Sequence, residues 1–171
     1  PGFPLYTLFV WLFSRLPLYT VAFRAALVST ITHSLVIVII YLIHKKIIKN
    51  TFISIISAFL ILGNYLFFLY SITPEVFALN ILFTSIIIYL TIKLIDNPSD
   101  NQNLILLVLI IGFAIFHHQI VLFSILPSLI MLYLNRKRFK FNYKRFLYLI
   151  PILLIGLIPY LYIFIAGNTH S

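Results

Sequence analysis

Long apolar runs closed by short basic clusters constrain this chain more than any other feature of its sequence. Residues 19–43 run into His44, Lys45, Lys46 and Lys49, and residues 103–134 run into Arg136, Lys137, Arg138, Lys140, Lys144 and Arg145. A soluble globule carries charge on about a quarter of its residues. Here 9% are charged and 63% hydrophobic, too little polar surface to cover a globule in water. Within a bilayer, backbone N–H and C=O groups must be satisfied internally, which favours helices. The sequence therefore predicts an all-α, polytopic transmembrane bundle of about six spans with an N-terminal interfacial helix.

Lengths set the individual expectations. Residues 4–16 are apolar and aromatic but fall short of the roughly 17–25 residues that a spanning helix needs. With Trp11, Arg15 and Pro17 they predict a helix lying in the membrane interface; the alternative is the end of a longer span. Residues 19–43 and 52–70 are each expected to cross. Pro74 suits the first turn of the next helix, which continues through Asn80 to Lys93. Residues 96–102 form a turn-rich polar linker. Residues 103–134 would make a helix of about 48 Å against a hydrocarbon core of about 30 Å, so two short spans meeting at His117, His118 and Gln119 are expected. Residues 146–166 form the last span, kinked by Pro151, Gly156 and Pro159. On this topology ten of the twelve Lys and Arg lie on the cytoplasmic side, with Arg15 and Arg24 outside. The net charge of +9 thus marks orientation and gives no nucleic-acid footprint. The chain is expected to be part of a single multispanning domain and a fragment at both ends, with a C-terminal part missing.

The same topology gathers the unusual polar groups on the outer face. Only three acidic residues occur in 171; Asp96 and Asp100 lie in the polar linker, whereas Glu75 stands alone between apolar runs. A carboxylate there needs water, a partner or a substrate, although a plain role near a helix start, favoured by the macrodipole, stands beside the functional one. Asn80 lies about one turn into the helix that Glu75 opens. Arg24 either snorkels to the interface or pairs with a phosphate or carboxylate. His33, beside Thr30, Thr32 and Ser34, is expected to be a hydrogen-bonded interior histidine. Adjacent helical residues diverge by about 100°, so one of His117 and His118 is expected to face a polar cavity. Tyr6, Trp11, Tyr19, Tyr65 and Tyr70 also suit an interfacial belt.

Cysteine is absent, which removes disulfides and thiolate chemistry. Neighbouring histidines lack the i, i+4 spacing of a helical zinc site, so no metal is assigned to His117, His118 and Glu75. No phosphate-binding glycine loop or nucleophilic serine elbow occurs. Three readings remain: an enzyme with an extracytoplasmic site, a transporter carrying protons or substrate past Glu75 and the His117/His118 pair, and a membrane scaffold with no chemistry, against which the polar cluster argues. Transporters usually show internal repeats, and no matching halves are found.

Five strings taken together resemble a known family: PGFPLY at the start, VAFRAALVS at 21–29, PEVFALN at 74–80, HHQ at 117–119 and PYLYI at 159–163. The chain is similar to bacterial relatives of the transmembrane O-mannosyltransferase that modifies plexin and Met-type receptors, within the GT-C superfamily of glycosyltransferases. The resemblance implies a multi-pass inner-membrane enzyme. It would move a sugar from a polyprenyl-phosphate carrier, with no other cofactor, to an extracytoplasmic protein hydroxyl or other acceptor. The opening string resembles the family's His-Pro-Pro-Gly-Tyr-Pro-Leu loop pattern, with Phe3 in place of Tyr. On that reading an N-terminal span and a first external loop carrying the principal catalytic base lie upstream of Pro1, and Tyr6, Arg24, Glu75, Asn80, His117 and His118 are supporting or substrate-binding residues.

Overall fold

A computed structural model describes residues 3–139 and 143–161, and all regular structure among them is helical. The helices are α1 (Pro4–Ser14), α2 (Val21–Ile48), α3 (Thr51–Leu62), α4 (Tyr65–Ile72), α5 (Phe77–Asp96), α6 (Asn101–His117), α7 (Leu122–Leu134) and α8 (Tyr143–Leu154). They form two compact units. One comprises residues 5–85, the other residues 1–4 and 86–171, with α5 divided after Ser85.

In the unit of residues 5–85, short polar residues punctuate the apolar runs. The Thr20 hydroxyl accepts from the Phe23 amide and starts α2. That helix has 28 residues and is about 42 Å long at 1.5 Å per residue. It stops at Lys49, whose left-handed backbone (φ 58°) lets its N–H return to the Lys45 carbonyl. Asn50 then caps α3 through Ile53 N, so a two-residue turn reverses the chain. The expected crossing over 52–70 is interrupted: Gly63 ends α3, and Asn64 begins α4 by accepting from Phe67 N, with a bend of 67° between them. Hydropathy does not register this break. An asparagine whose side chain caps the following turn is enough to seed a second helix at an angle to the first.

The helix expected from Pro74 instead starts at Phe77, leaving Pro74 and Glu75 outside it. The Glu75 carbonyl accepts the first bond, from Ala78 N, while the Glu75 amide is engaged elsewhere. By length and apolarity α2 and α5 qualify as membrane spans, and the bent α3–α4 pair makes a third if it counts as one.

The other unit is built on α6, α7 and α8. Asp100 accepts from the backbone and side-chain amides of Asn103 to cap α6; the polar linker thus has a structural task. The break expected at 117–119 is present: α6 ends at His117, His118 is extended, and a single 3₁₀ turn, Gln119–Val121, leads into α7. These segments and Leu147–Leu161 are apolar but shorter than the candidate spans. Pro151 lies inside α8, which gives way to a 3₁₀ turn at Ile155–Leu157. Gly156 in that turn meets Gly112 of α6 backbone to backbone, and the Tyr160 hydroxyl donates to the Phe116 carbonyl at 2.6 Å. Pro1, Gly2, Lys140 and residues 162–166 of the expected last span, which take in the end of the PYLYI string, lie outside the described residues.

Candidate functional site

Tyr6 in α1, Ser29 in α2 and the turn before α5 meet at one point. Ser29 is fully buried. Its Oγ accepts from the Glu75 amide at 3.0 Å and lies 3.4 Å from the phenol oxygen of Tyr6. Three chain segments distant in sequence are thereby joined through one hydroxyl. Ser29 lies eight residues into α2, so the Glu75 turn is recessed about 12 Å along that helix from its N-terminal end. A second tie supports the first: the Thr30 hydroxyl donates to the Ser71 carbonyl at the end of α4, at 2.8 Å.

The electrostatics follow from this packing. Burial raises the Tyr6 phenol above its ordinary pKa of 10.0, the Ser29 hydrogen bond opposes the shift, and the Glu75 carboxylate adds to it. Tyr6 is therefore a neutral hydroxyl at physiological pH, held beside a half-buried carboxylate. Such a pair offers one group that donates and another that accepts, which suits recognition of a polyhydroxylated ligand.

Asn80, in the first turns of α5, is buried, and its Oδ1 has no hydrogen-bond partner among the described residues. Arg24, expected either to snorkel to the interface or to pair with a phosphate or carboxylate, makes hydrogen bonds to main-chain carbonyls. Its Nη1 donates to the Leu16 carbonyl at 2.5 Å and its Nε to the Thr20 carbonyl at 3.3 Å, bracing the link between α1 and α2. His33 is interior and hydrogen-bonded as expected, its Nδ1 donating to the Ser29 carbonyl at 2.9 Å and its ring meeting Phe67 edge-on.

His117 and His118 belong to the other unit, and the structure separates their roles. The helical divergence expected for neighbours does not apply, because His118 has left the helix (φ −156°, ψ 132°). His117 is buried at the end of α6, whereas His118 is partly exposed and its Nδ1 accepts from Ile120 N at 3.2 Å. Phe3 stacks on His118 at 5.3 Å and is tilted against His117 at 5.7 Å. The structure therefore brings Tyr6 and Glu75 together in one unit and holds the histidine pair with Phe3 in the other.

Ser29 was not among the residues singled out from the sequence. The available signal was its i, i+4 spacing from His33, which puts the two on one face of α2; which turn would land on that face was not readable.

Over residues 1–142 the chain matches the family described as the Protein O-mannosyl-transferase TMEM260 N-terminal domain. It is similar to the Protein O-mannosyl-transferase tmem260 of Dictyostelium discoideum, with 26% identity over 186 aligned residues covering 99% of this chain and 23% of that protein. The chain thus spans about a quarter of the length of this relative. No solved structure matches it. The match over most of its length places this chain in the family of protein O-mannosyl-transferase TMEM260 N-terminal domains.

Proposed function

We propose that this chain is part of a multi-pass, GT-C-type glycosyltransferase with about six spans in this segment. It transfers mannose from a polyprenyl-phosphate carrier to a hydroxyl of a protein on the extracytoplasmic side of a bacterial inner membrane. Family membership supports the reaction class. The observation that carries the siting is the junction of Tyr6 and the Glu75 turn on Ser29.

Transfer to a hydroxyl requires a base for the acceptor proton and polar groups for the leaving phosphate and the sugar. Glu75 and Tyr6 bind sugar hydroxyls in this reading, and the spare acceptor of Asn80 serves the same ligand. Arg24 orders the α1–α2 link and is the nearest cation to it in sequence. His117 and His118 bind substrate. The principal base is supplied from outside these residues. A lipid-linked donor fits a chain with no nucleotide-binding loop.

The experiment is mass spectrometry of extracytoplasmic proteins from cells with and without the gene. Loss of hexose-bearing Ser and Thr peptides on deletion, restored by the full-length gene, is the expected result. An unchanged set of glycopeptides would remove the protein-directed reading.

A further inference from the structure

The basic end of α2 is not used by the transferase site. Lys45 and Lys49 are exposed there, with Lys46 between them in the last turn of α2. No acidic residue precedes Glu75 in the sequence. Within this unit Glu75 is anchored at Ser29, 16 residues before Lys45 on α2 and hence about 24 Å away at 1.5 Å per residue. That is far beyond the few ångströms at which an ion pair forms. No carboxylate of this unit reaches Lys45 or Lys49.

Directly beside them is a groove of about 260 Å³ between α2 and α3. Ile37, Val38 and Tyr41 form one wall and Ala58, Phe59 and Leu62 the other, with no charged side chain in the lining. Tyr41 links the two features: its ring lines the groove and also lies 5.6 Å from the Lys45 ammonium. The rim continues the same character, since Ile47 and Phe52 are largely exposed on either side of Lys49. An apolar slot that ends under a cation matches a hydrocarbon chain joined to a phosphate.

We propose that the α2–α3 groove and Lys45 and Lys49 form a binding site for an anionic glycerophospholipid of the leaflet at the basic end of α2, one acyl chain in the groove and its phosphate at the lysines. The site requires α2 to span the membrane and is independent of the transferase reading. The bound lipid would fix the two-residue α2–α3 turn at the membrane surface. Charge complementarity argues for a phosphate diester over a zwitterionic headgroup, and juxtamembrane lysines each contribute to such binding.

The test uses the full-length protein in phosphatidylcholine vesicles doped with phosphatidylglycerol that carries a photoactivatable group on its acyl chain. Cross-links are expected at Val38, Phe59 and Leu62, with labelling reduced about fivefold for each of Lys45→Gln and Lys49→Gln. Ala58→Phe fills the groove and is expected to remove the cross-links with both lysines intact; should that variant not fold, the exposed lysine variants decide alone. Equal labelling by a phosphatidylcholine probe, or unchanged labelling in the double lysine variant, would overturn the proposal. So would displacement by soluble glycerol phosphate, which marks a site for the headgroup alone, or by polyprenyl phosphate but not by unlabelled phosphatidylglycerol.

Discussion

Gly112→Ala and Gly156→Ala are each expected to destabilise the full-length protein by about 3 kcal/mol or more, the largest effect of an added methyl group at the described glycines. A Cβ on Gly112 would overlap the Leu153 carbonyl, and one on Gly156 would overlap the Gly112 carbonyl and the Phe113 nitrogen. The obstacles are main-chain atoms, which cannot rotate away as a side chain does. Close approach of this kind is how small residues hold helices together in lipid, where no hydrophobic force drives them. Gly63 provides the control. Its backbone is ordinary right-handed helix (φ −74°), and an added Cβ would stand 3.5 Å from its nearest neighbour, an ordinary contact. Gly63→Ala is therefore expected to be neutral or stabilising by a few tenths of a kcal/mol. Thermal unfolding of the three variants in detergent compares them, and equal melting temperatures would contradict the backbone packing.

Ser29→Ala should have the second largest effect. The substitution leaves a part-buried amide at Glu75 and the Tyr6 phenol without their common partner, at a cost of about 1–3 kcal/mol. Because the Glu75 turn is tied to α2 through that hydroxyl, the loss appears as displacement of the turn as well as reduced stability. At about 1.4 kcal/mol per factor of ten, transfer is expected to fall by roughly tenfold to hundredfold. Thr30→Val removes only the neighbouring tie to Ser71 and is expected to do less. If Ser29 acts through Glu75, adding Ser29→Ala to Glu75→Gln will cost less than the two changes apart; full additivity would show that Ser29 acts by another route.

The apolar runs and their breakers were legible in the sequence, whereas the caps that set the helix starts emerge from the structure. Thr20, Asn50 and Asp100 are short polar residues at the starts of helices, and their side chains take up amide donors that a helix leaves unsatisfied. Pro151 and Gly156 marked the region where α8 gives way to a 3₁₀ turn, and excess length over bilayer thickness called for the break found at 117–119. The 67° bend after Leu62 escaped notice, since Gly63 and Asn64 scarcely lower the hydropathy of a run otherwise apolar.

The candidate site was legible only as a list of residues. Glu75 stood out by being a lone carboxylate, but its position depends on Ser29, a residue type common in membrane helices and inconspicuous without its partner. Arg24 illustrates a different point. A cation near the outer face suggests phosphate or carboxylate, yet the nearest acceptors are the carbonyls of Leu16 and Thr20, freed where the chain turns between α1 and α2. The His117/His118 pair was expected to diverge as two helical neighbours; helix termination divides them instead, and no periodicity argument anticipates where a helix stops being one.

The most direct measurement of the central claim is mannose transfer from a polyprenyl-phosphate donor to an acceptor peptide, catalysed by the full-length enzyme in vesicles, comparing wild type with Glu75→Gln. The substitution keeps the shape and removes the charge that lies beside Tyr6. With the melting temperature unchanged, kcat/KM is expected to fall by at least about tenfold, the loss of roughly 1.4 kcal/mol of transition-state stabilisation. Transfer at the wild-type rate by a folded Glu75→Gln enzyme would contradict the placement of the sugar-binding site at the Ser29 junction.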